Sequence, residues 1–221
     1  MKKTILALLC ASVGYCTVPG IDVSGYQGNV NWGTVSSAGK EFAYIKATEG
    51  TSYTNPYFTQ QYNGAYNQGL IRGAYHFAHP DGSGSAQATY FLAHGGGWSG
   101  DGVTLPGALD LEYGSTSTCW GVSQATIIKF IHDFSDTYKA KTGRPPVIYT
   151  TTDWWKTCTG NSAAFSENPL WIARYSSSVG TLPASWSYQS FWQNTDNSGV
   201  GGDGDIWNGS ITSLKKFAKG G

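Results

Sequence analysis

The chain has 221 residues, 40% of them hydrophobic and only 13% charged, a composition that excludes intrinsic disorder and allows one large domain or two small ones. Its 14 Lys and Arg balance its 14 Asp and Glu, which excludes a dedicated polyanion binder, so nucleic acid is not an expected partner. The 9 Trp, 14 Tyr and 9 Phe supply core area, and those left exposed would offer flat faces to sugar rings.

Residues 1–16 read as a secretory signal peptide. Lys2 and Lys3 give a positive start, residues 5–13 form an apolar run too short to span a membrane, and small residues follow. Cleavage is expected near Cys16–Thr17. Leu9 and Tyr15 precede Cys10 and Cys16, which is not a lipoprotein pattern, so a secreted, soluble, extracellular product is expected. No other stretch is apolar enough to cross a bilayer, and no membrane partner is expected. Losing the leader tips the balance by two negative charges and leaves Cys119 and Cys158. An even pair in an oxidising compartment predicts a disulfide. Closing so long a loop would give ~4 kcal/mol by the chain-entropy argument. Metal ligation would need clustered His and Cys. His76, His79, His94 and His132 lie elsewhere without zinc spacing, so no metal is expected.

Residues 19–23 predict a first strand and residues 31–39 a short helix, with Asn29 or Asn31 near its start. Residues 42–47 predict a second strand, with Tyr44 and Lys46 on one face and Ala43, Ile45 and Ala47 on the other. Asn55 as cap, Pro56 in the first turn and Gly69 as stop predict a helix over 56–69. A third strand over 71–77, a helix over 83–94 and a fourth strand over 106–113 follow. The longest helix is predicted over 123–141, where Ile127, Ile128, Ile131, Phe134 and Tyr138 keep helical spacing and Gly143 is a stop. A fifth strand covers 146–150. Beyond it, 170–174, 190–193 and 203–207 read as strands with little helix between them, and 211–218 as a closing helix. No linker, repeat or second domain is visible. Five β/α units followed by three strands predict an α/β fold, a single-domain, modified TIM-like barrel with a parallel sheet.

Asp110-Leu111-Glu112 ends the fourth strand. A strand's side chains alternate, so both acids share one face while Leu109 and Leu111 take the other. Two close carboxylates repel, which raises one pKa and holds the other down, the equipment of a glycosidase. A lone Asp-x-Glu is more often an exposed acidic strand end. Position decides otherwise here: in a parallel barrel the C-terminal strand ends meet at one mouth. Asp22 ends the first strand, and Asp205 lies in the last. Other motifs carry less. Gly95 to Gly100 matches G-x-G-x-x-G, but it follows a helix and precedes a strand, so it reads as a flexible loop and no cofactor is expected. No G-x-S-x-G elbow exists. His76 reads as a satisfied core residue. Asn208-Gly209-Ser210 is a glycosylation sequon, used only in a host that glycosylates.

Several blocks in order resemble one family. They are Gly20-Ile21-Asp22-Val23-Ser24-Gly25-Tyr26-Gln27-Gly28, Tyr44-Ile45-Lys46-Ala47-Thr48-Glu49-Gly50, Arg72-Gly73-Ala74-Tyr75-His76-Phe77 and Leu109-Asp110-Leu111-Glu112, with Val147-Ile148-Tyr149-Thr150-Thr151 and Phe191-Trp192-Gln193. Together they resemble glycoside hydrolase family 25, the Ch-type lysozymes, from about Pro19 to Phe217. The resemblance implies a catalytic barrel over 17–221 that hydrolyses the β-1,4 bond between N-acetylmuramic acid and N-acetylglucosamine in peptidoglycan glycan strands. It implies Glu112 as general acid and Asp110 as its carboxylate partner, with Asp22 and Asp205 as further active-site acids. Asp203 is a rival to Asp205, which is preferred because an apolar residue and the Trp207-Asn208-Gly209 end follow it. Lys46, Glu49, Tyr75, Tyr149, Trp171, Tyr175, Trp192 and Gln193 are candidate substrate-binding groups, and for each aromatic a core role is as good a reading. A monomer is expected. A peptidoglycan- or chitin-binding lectin on an inactive barrel and a chitinase-like glycosidase are the competing readings.

Overall fold

The computed structural model describes residues 17–114 and 117–221, so the expected signal peptide lies outside the described residues. In chain order the elements are β1 (Val18–Val23), α1 (Trp32–Ser37), β2 (Phe42–Glu49), β3 (Tyr53–Thr54), α2 (Phe58–Asn67), β4 (Ile71–Phe77), α3 (Gly84–Ala93), β5 (Ala108–Asp110), α4 (Gln124–Thr142), β6 (Val147–Thr150), α5 (Thr152–Thr159), β7 (Leu170–Ala173), β8 (Phe191–Thr195), β9 (Asp203–Trp207) and α6 (Ile211–Lys219). The sheet order is β1-β9-β8-β7-β6-β5-β4-β2, and β1 pairs back onto β2, closing a TIM-like barrel of eight strands. The two-residue β3 hangs on the end of β2.

One expectation about the sheet is corrected. Around the barrel all pairings are parallel except those of β9, which runs antiparallel to both β8 and β1. The connection over 196–202 contains no helix. A link that short can turn a hairpin but cannot carry a crossover back to the start of a parallel strand.

Side-chain alternation builds two layers. Phe42, Tyr44, Trp171, Phe191 and Trp207 fill the barrel interior. Tyr44 stacks on Trp171 at 4.7 Å between ring centroids, and Phe42 meets Phe191 at 5.4 Å. Interior room for these rings comes from Gly20 and Gly73, where a Cβ would stand 2.4 Å from the Phe42 ring and 2.5 Å from the Tyr44 ring. The intervening residues point outward: Ile21, Val23, Ala43 and Ile45 pack with Val35 of α1 and Ala65 of α2. Leu109, Leu111 and Ile148 pack under Ile127, Ile131 and Phe134 of α4. In α4 the buried stripe takes Phe130, while the expected Ile128 is only partly buried.

Local departures have local causes. The fourth strand is shorter than 106–113, because Pro106 has no N–H and the Gly107 N–H is drawn to the Tyr138 hydroxyl at 2.7 Å. A helix missing from the expectation, α5, starts at the Thr151 cap and ends at Gly160 in a left-handed conformation. Asn55 caps the turn that leads into α2, its Oδ1 accepting from the Tyr57 N–H at 3.0 Å, and its amide does more than cap. It is buried, donating to Lys46 O at 2.8 Å and to Gln61 Oε1 at 2.8 Å, and so ties the helix start to β2. The glycine loop over 95–100 is not loose: Gly96 O accepts from Tyr138 at 2.9 Å, and Trp98 donates to Ala218 O at 3.0 Å. His76 is a fully buried core residue between Thr48 Oγ1 (2.7 Å) and Gln87 Oε1 (2.9 Å), its pKa pushed down to about 4 by burial. Cys119 and Cys158 are disulfide-bonded.

The Tyr138 hydroxyl serves two buried main-chain groups at once. Tyr138→Phe is therefore expected to leave both unpaired and to cost about 2–4 kcal/mol in urea unfolding. An unchanged midpoint would show that neither bond contributes.

Candidate active site

The C-terminal ends of β1, β2, β4, β5, β6, β7 and β8 open at the same end of the barrel, where the N-terminal end of antiparallel β9 joins them. There Asp22, Asp110, Glu112 and Asp203 line one recess of about 140 Å³ with Tyr75, Tyr149, Trp171, Tyr175 and Gln193. The recess widens into a groove of about 370 Å³ that Lys46, Phe77 and Tyr26 also line. Asp110 is the last residue of β5, and Glu112 follows two residues later, still on the inner face.

Gln193 organises the recess. Its Nε2 donates to Asp22 Oδ2 at 2.7 Å and to Asp203 Oδ2 at 3.2 Å. Its Oε1 accepts from the Tyr149 hydroxyl at 2.7 Å and the Tyr175 hydroxyl at 3.1 Å. One amide thus fixes two carboxylates and two phenols.

Burial sets the proton inventory. It pushes the Asp22 pKa up to about 7, with help from the Asp203 charge. Asp110 is raised well above the usual carboxylate range by burial and by the neighbouring Glu112 charge. Glu112 is raised by burial, against the pull of the Lys46 ammonium. The expectation that repulsion raises one pKa of the pair and holds the other down is thus corrected, since burial raises both. Tyr75 and Tyr149 are raised by burial and by the acids around them, so their hydroxyls stay hydrogen-bond donors.

Three of the expected residues lie outside the recess. Asp205 faces inward but lies below the mouth at 1% exposure, accepting from Trp171 Nε1 at 2.8 Å. Asp203, the rival, pairs in register with Asp22 and lines the recess. The cause is strand direction: in antiparallel β9 the earlier residue reaches the mouth. Trp192 points out of the barrel and donates to Arg174 O at 2.8 Å, because its neighbours Phe191 and Gln193 both point in. Glu49 stands on the shoulder of the mouth, 2.6 Å from Lys46 Nζ and 3.0 Å from His79 Nε2. The interactions with Lys46 and His79 hold its pKa below the usual range despite its partial burial. Trp171 forms the floor at 2% exposure, and Tyr175 the rim at 55%.

Four lining residues were not among the expected ones, Ser24, Gln27 and two aromatics. Phe77 is two places beyond Tyr75 on the same strand face, a spacing that marks it. Tyr26 is 98% exposed beside the groove. Its signal is an aromatic just past the end of β1. Among the described residues, no group of three or more His, Cys, Asp and Glu side chains could hold a metal ion, and no helix is long and apolar enough to cross a membrane.

The profile of the glycosyl hydrolases family 25 matches residues 21–203. An N,O-diacetylmuramidase of Chalaropsis sp is 57% identical over 211 residues, covering 92% of this chain and 100% of that protein. An N,O-diacetylmuramidase of Arthroderma benhamiae is 53% identical, covering 93% and 88%. The solved structure of a muramidase from Trichobolus zukalii matches with a TM-score of 0.91 at 55% identity, covering 92% of this chain and 100% of that one.

Proposed function

From the premise that the chain belongs to family 25 of the glycosyl hydrolases, we propose that it is a secreted lysozyme that hydrolyses the β-1,4 bond between N-acetylmuramic acid and N-acetylglucosamine. The observation that carries this reading is the Asp110–Glu112 pair in an acid-lined recess at the end of a tyrosine-walled groove. The groove is open enough for a glycan strand, and its aromatic faces suit sugar rings.

In the proposed chemistry Glu112 is the general acid and Asp110 its partner. Their Cα atoms are about 7 Å apart on one strand face, from a rise of ~3.3 Å per residue. That spacing suits an acid and a partner acting from one side of the sugar, and so supports substrate assistance. The 2-acetamido oxygen attacks C1, the glycosidic C1–O bond breaks, and Glu112 passes its proton to the departing oxygen. Asp110 orients and stabilises the acetamido group as it becomes an oxazolinium. Water then opens that ring at C1 while the Glu112 carboxylate takes its proton, giving net retention. Asp22 and Asp203 hold the sugar and set the charge of the recess, and Asp205 supports the floor through Trp171.

Turbidity loss of bacterial cell walls, with mass spectrometry of the fragments from defined peptidoglycan with and without O-acetyl groups, tests the activity. Fragments ending in reducing N-acetylmuramic acid are expected, and binding without cleavage would leave a lectin instead. Proton NMR of the first-formed product is expected to show the β-anomer. An α-anomer would defeat the retaining scheme, and a glycosyl ester trapped on Asp22 or Asp203 would overturn its substrate-assisted part.

A further inference from the structure

A connected set of contacts encloses one side of the mouth. Lys46 Nζ lies 2.6 Å from Glu49 Oε2, 4.5 Å from the centroid of the Phe77 ring and 5.5 Å from that of Tyr53. The Lys46 side chain is only 12% exposed. Glu49 turns its other oxygen to His79, whose ring lies against Trp120 at 4.5 Å. Trp120 in turn donates its Nε1–H to the main-chain oxygen of Glu112 at 3.0 Å. The ammonium and the backbone of the proposed acid are therefore anchored to the same contacts.

A flexible, strongly hydrated ammonium is costly to bury without a partner. Glu49 supplies the partner from three residues along, and the Phe77 ring adds a cation–π contact. Lys46 is the only cation among the described residues that line the recess and groove. It faces Asp110 at the end of β5 and Glu112 just beyond it, Glu49 on its own strand and the Tyr53 phenol of β3, with Asp22 of β1 and Asp203 of β9 across the groove. His79 reaches it through Glu49.

We infer that Lys46 is a positioning residue of the reaction, a fixed counter-charge clamped by Glu49 that keeps one negative charge on the Asp110–Glu112 pair. The inference rests on the roles proposed above for those two acids. Burial drives both carboxyls toward the neutral form, and a doubly protonated pair has a proton to give but no anion to stabilise the oxazolinium. Lys46 opposes burial at both groups.

Lys46→Met removes the cation and leaves the Glu49 charge without it, and both changes favour protonated carboxyls. Both limbs of the pH–rate profile should move upward by about one pH unit. Lys46→Arg should keep the limbs at their wild-type positions even if kcat falls. Lys46→Gln covers the case in which Lys46→Met does not fold. A purely structural lysine would lower activity at every pH without moving either limb. Carbon-13 NMR titration of the Glu112 carboxyl gives a readout independent of lysis, and the same upward shift is expected there. Coincident limbs and coincident titrations in the wild type and the neutral variants would overturn the inference. A wild-type protein that lyses no cell wall would instead overturn the proposed function and leave the titration standing as a separate result.

Discussion

Glu112→Gln is expected to lower cell-wall lysis by about 10²–10⁴-fold, the usual contribution of a positioned general acid, without altering the fold. The substitution keeps shape and polarity and removes only the proton. Glu112 is partly buried beside Asp110, and burial raises its pKa toward the range a general acid needs. Its side chain lies beyond the last ladder residue of β5, so the barrel does not depend on it. The test is the rate of turbidity loss with the melting temperature measured alongside. Near-native lysis would remove Glu112 from the role. A collapsed melting temperature would show that the residue serves the fold.

Asp22→Asn is expected to make the protein more stable at pH 8 while abolishing most lysis. The folded pKa of Asp22 is about 7 against 3.8 for the free side chain. A group raised in this way contributes its full stability below about pH 4 and loses it as pH rises through 7. At pH 8 the folded protein holds a buried anion that the unfolded chain would carry in water. Three pH units correspond to at most about 4 kcal/mol. Asparagine keeps an oxygen for the Gln193 amide and removes the charge facing Asp203. The difference between variant and wild-type urea midpoints should therefore be large at pH 8 and small at pH 4, with contributions such as that of Glu49 cancelling. Equal differences at both pH values would show that Asp22 is not held toward its neutral form. Such a trade of stability for a charged pocket is common where function requires buried acids.

Much of the site was legible in sequence because strands make side-chain direction arithmetic. Asp22, Asp110 and Glu112 were placed by period-two alternation at strand ends, and the structure brings them to one recess. The same arithmetic, applied to Phe191-Trp192-Gln193, forbids Trp192 and Gln193 from sharing a face. It would also have marked Phe77 after Tyr75. The choice between Asp203 and Asp205 needed more than alternation, since both point inward and only the direction of β9 says which reaches the mouth. That direction had a signal in the short, helix-free connection over 196–202. Helix α5 had its signal too, in the Thr151 cap, the Gly160 stop and the buried side of Trp154, Trp155 and Cys158.

The order of β/α units, the three closing strands and the outward layers under α1, α2 and α4 follow from patterns within a few residues of each other. Propensity, capping and alternation are local, so the sequence determined them by itself. The sequence also determined which acids the site could use. The tertiary structure decided how those acids behave. Gln193 on β8 bonds Asp22 on β1 and Asp203 on β9 only because the barrel closes, and Trp171 reaches Asp205 for the same reason. Burial that raises Asp22 to about 7 is a property of the closed interior and has no counterpart in any stretch of chain. Lys46 tempers Asp110 and Glu112 from a strand that is not even their neighbour, since β4 lies between β2 and β5. Desolvation and Coulomb interaction depend on distance through space, and the fold alone sets those distances.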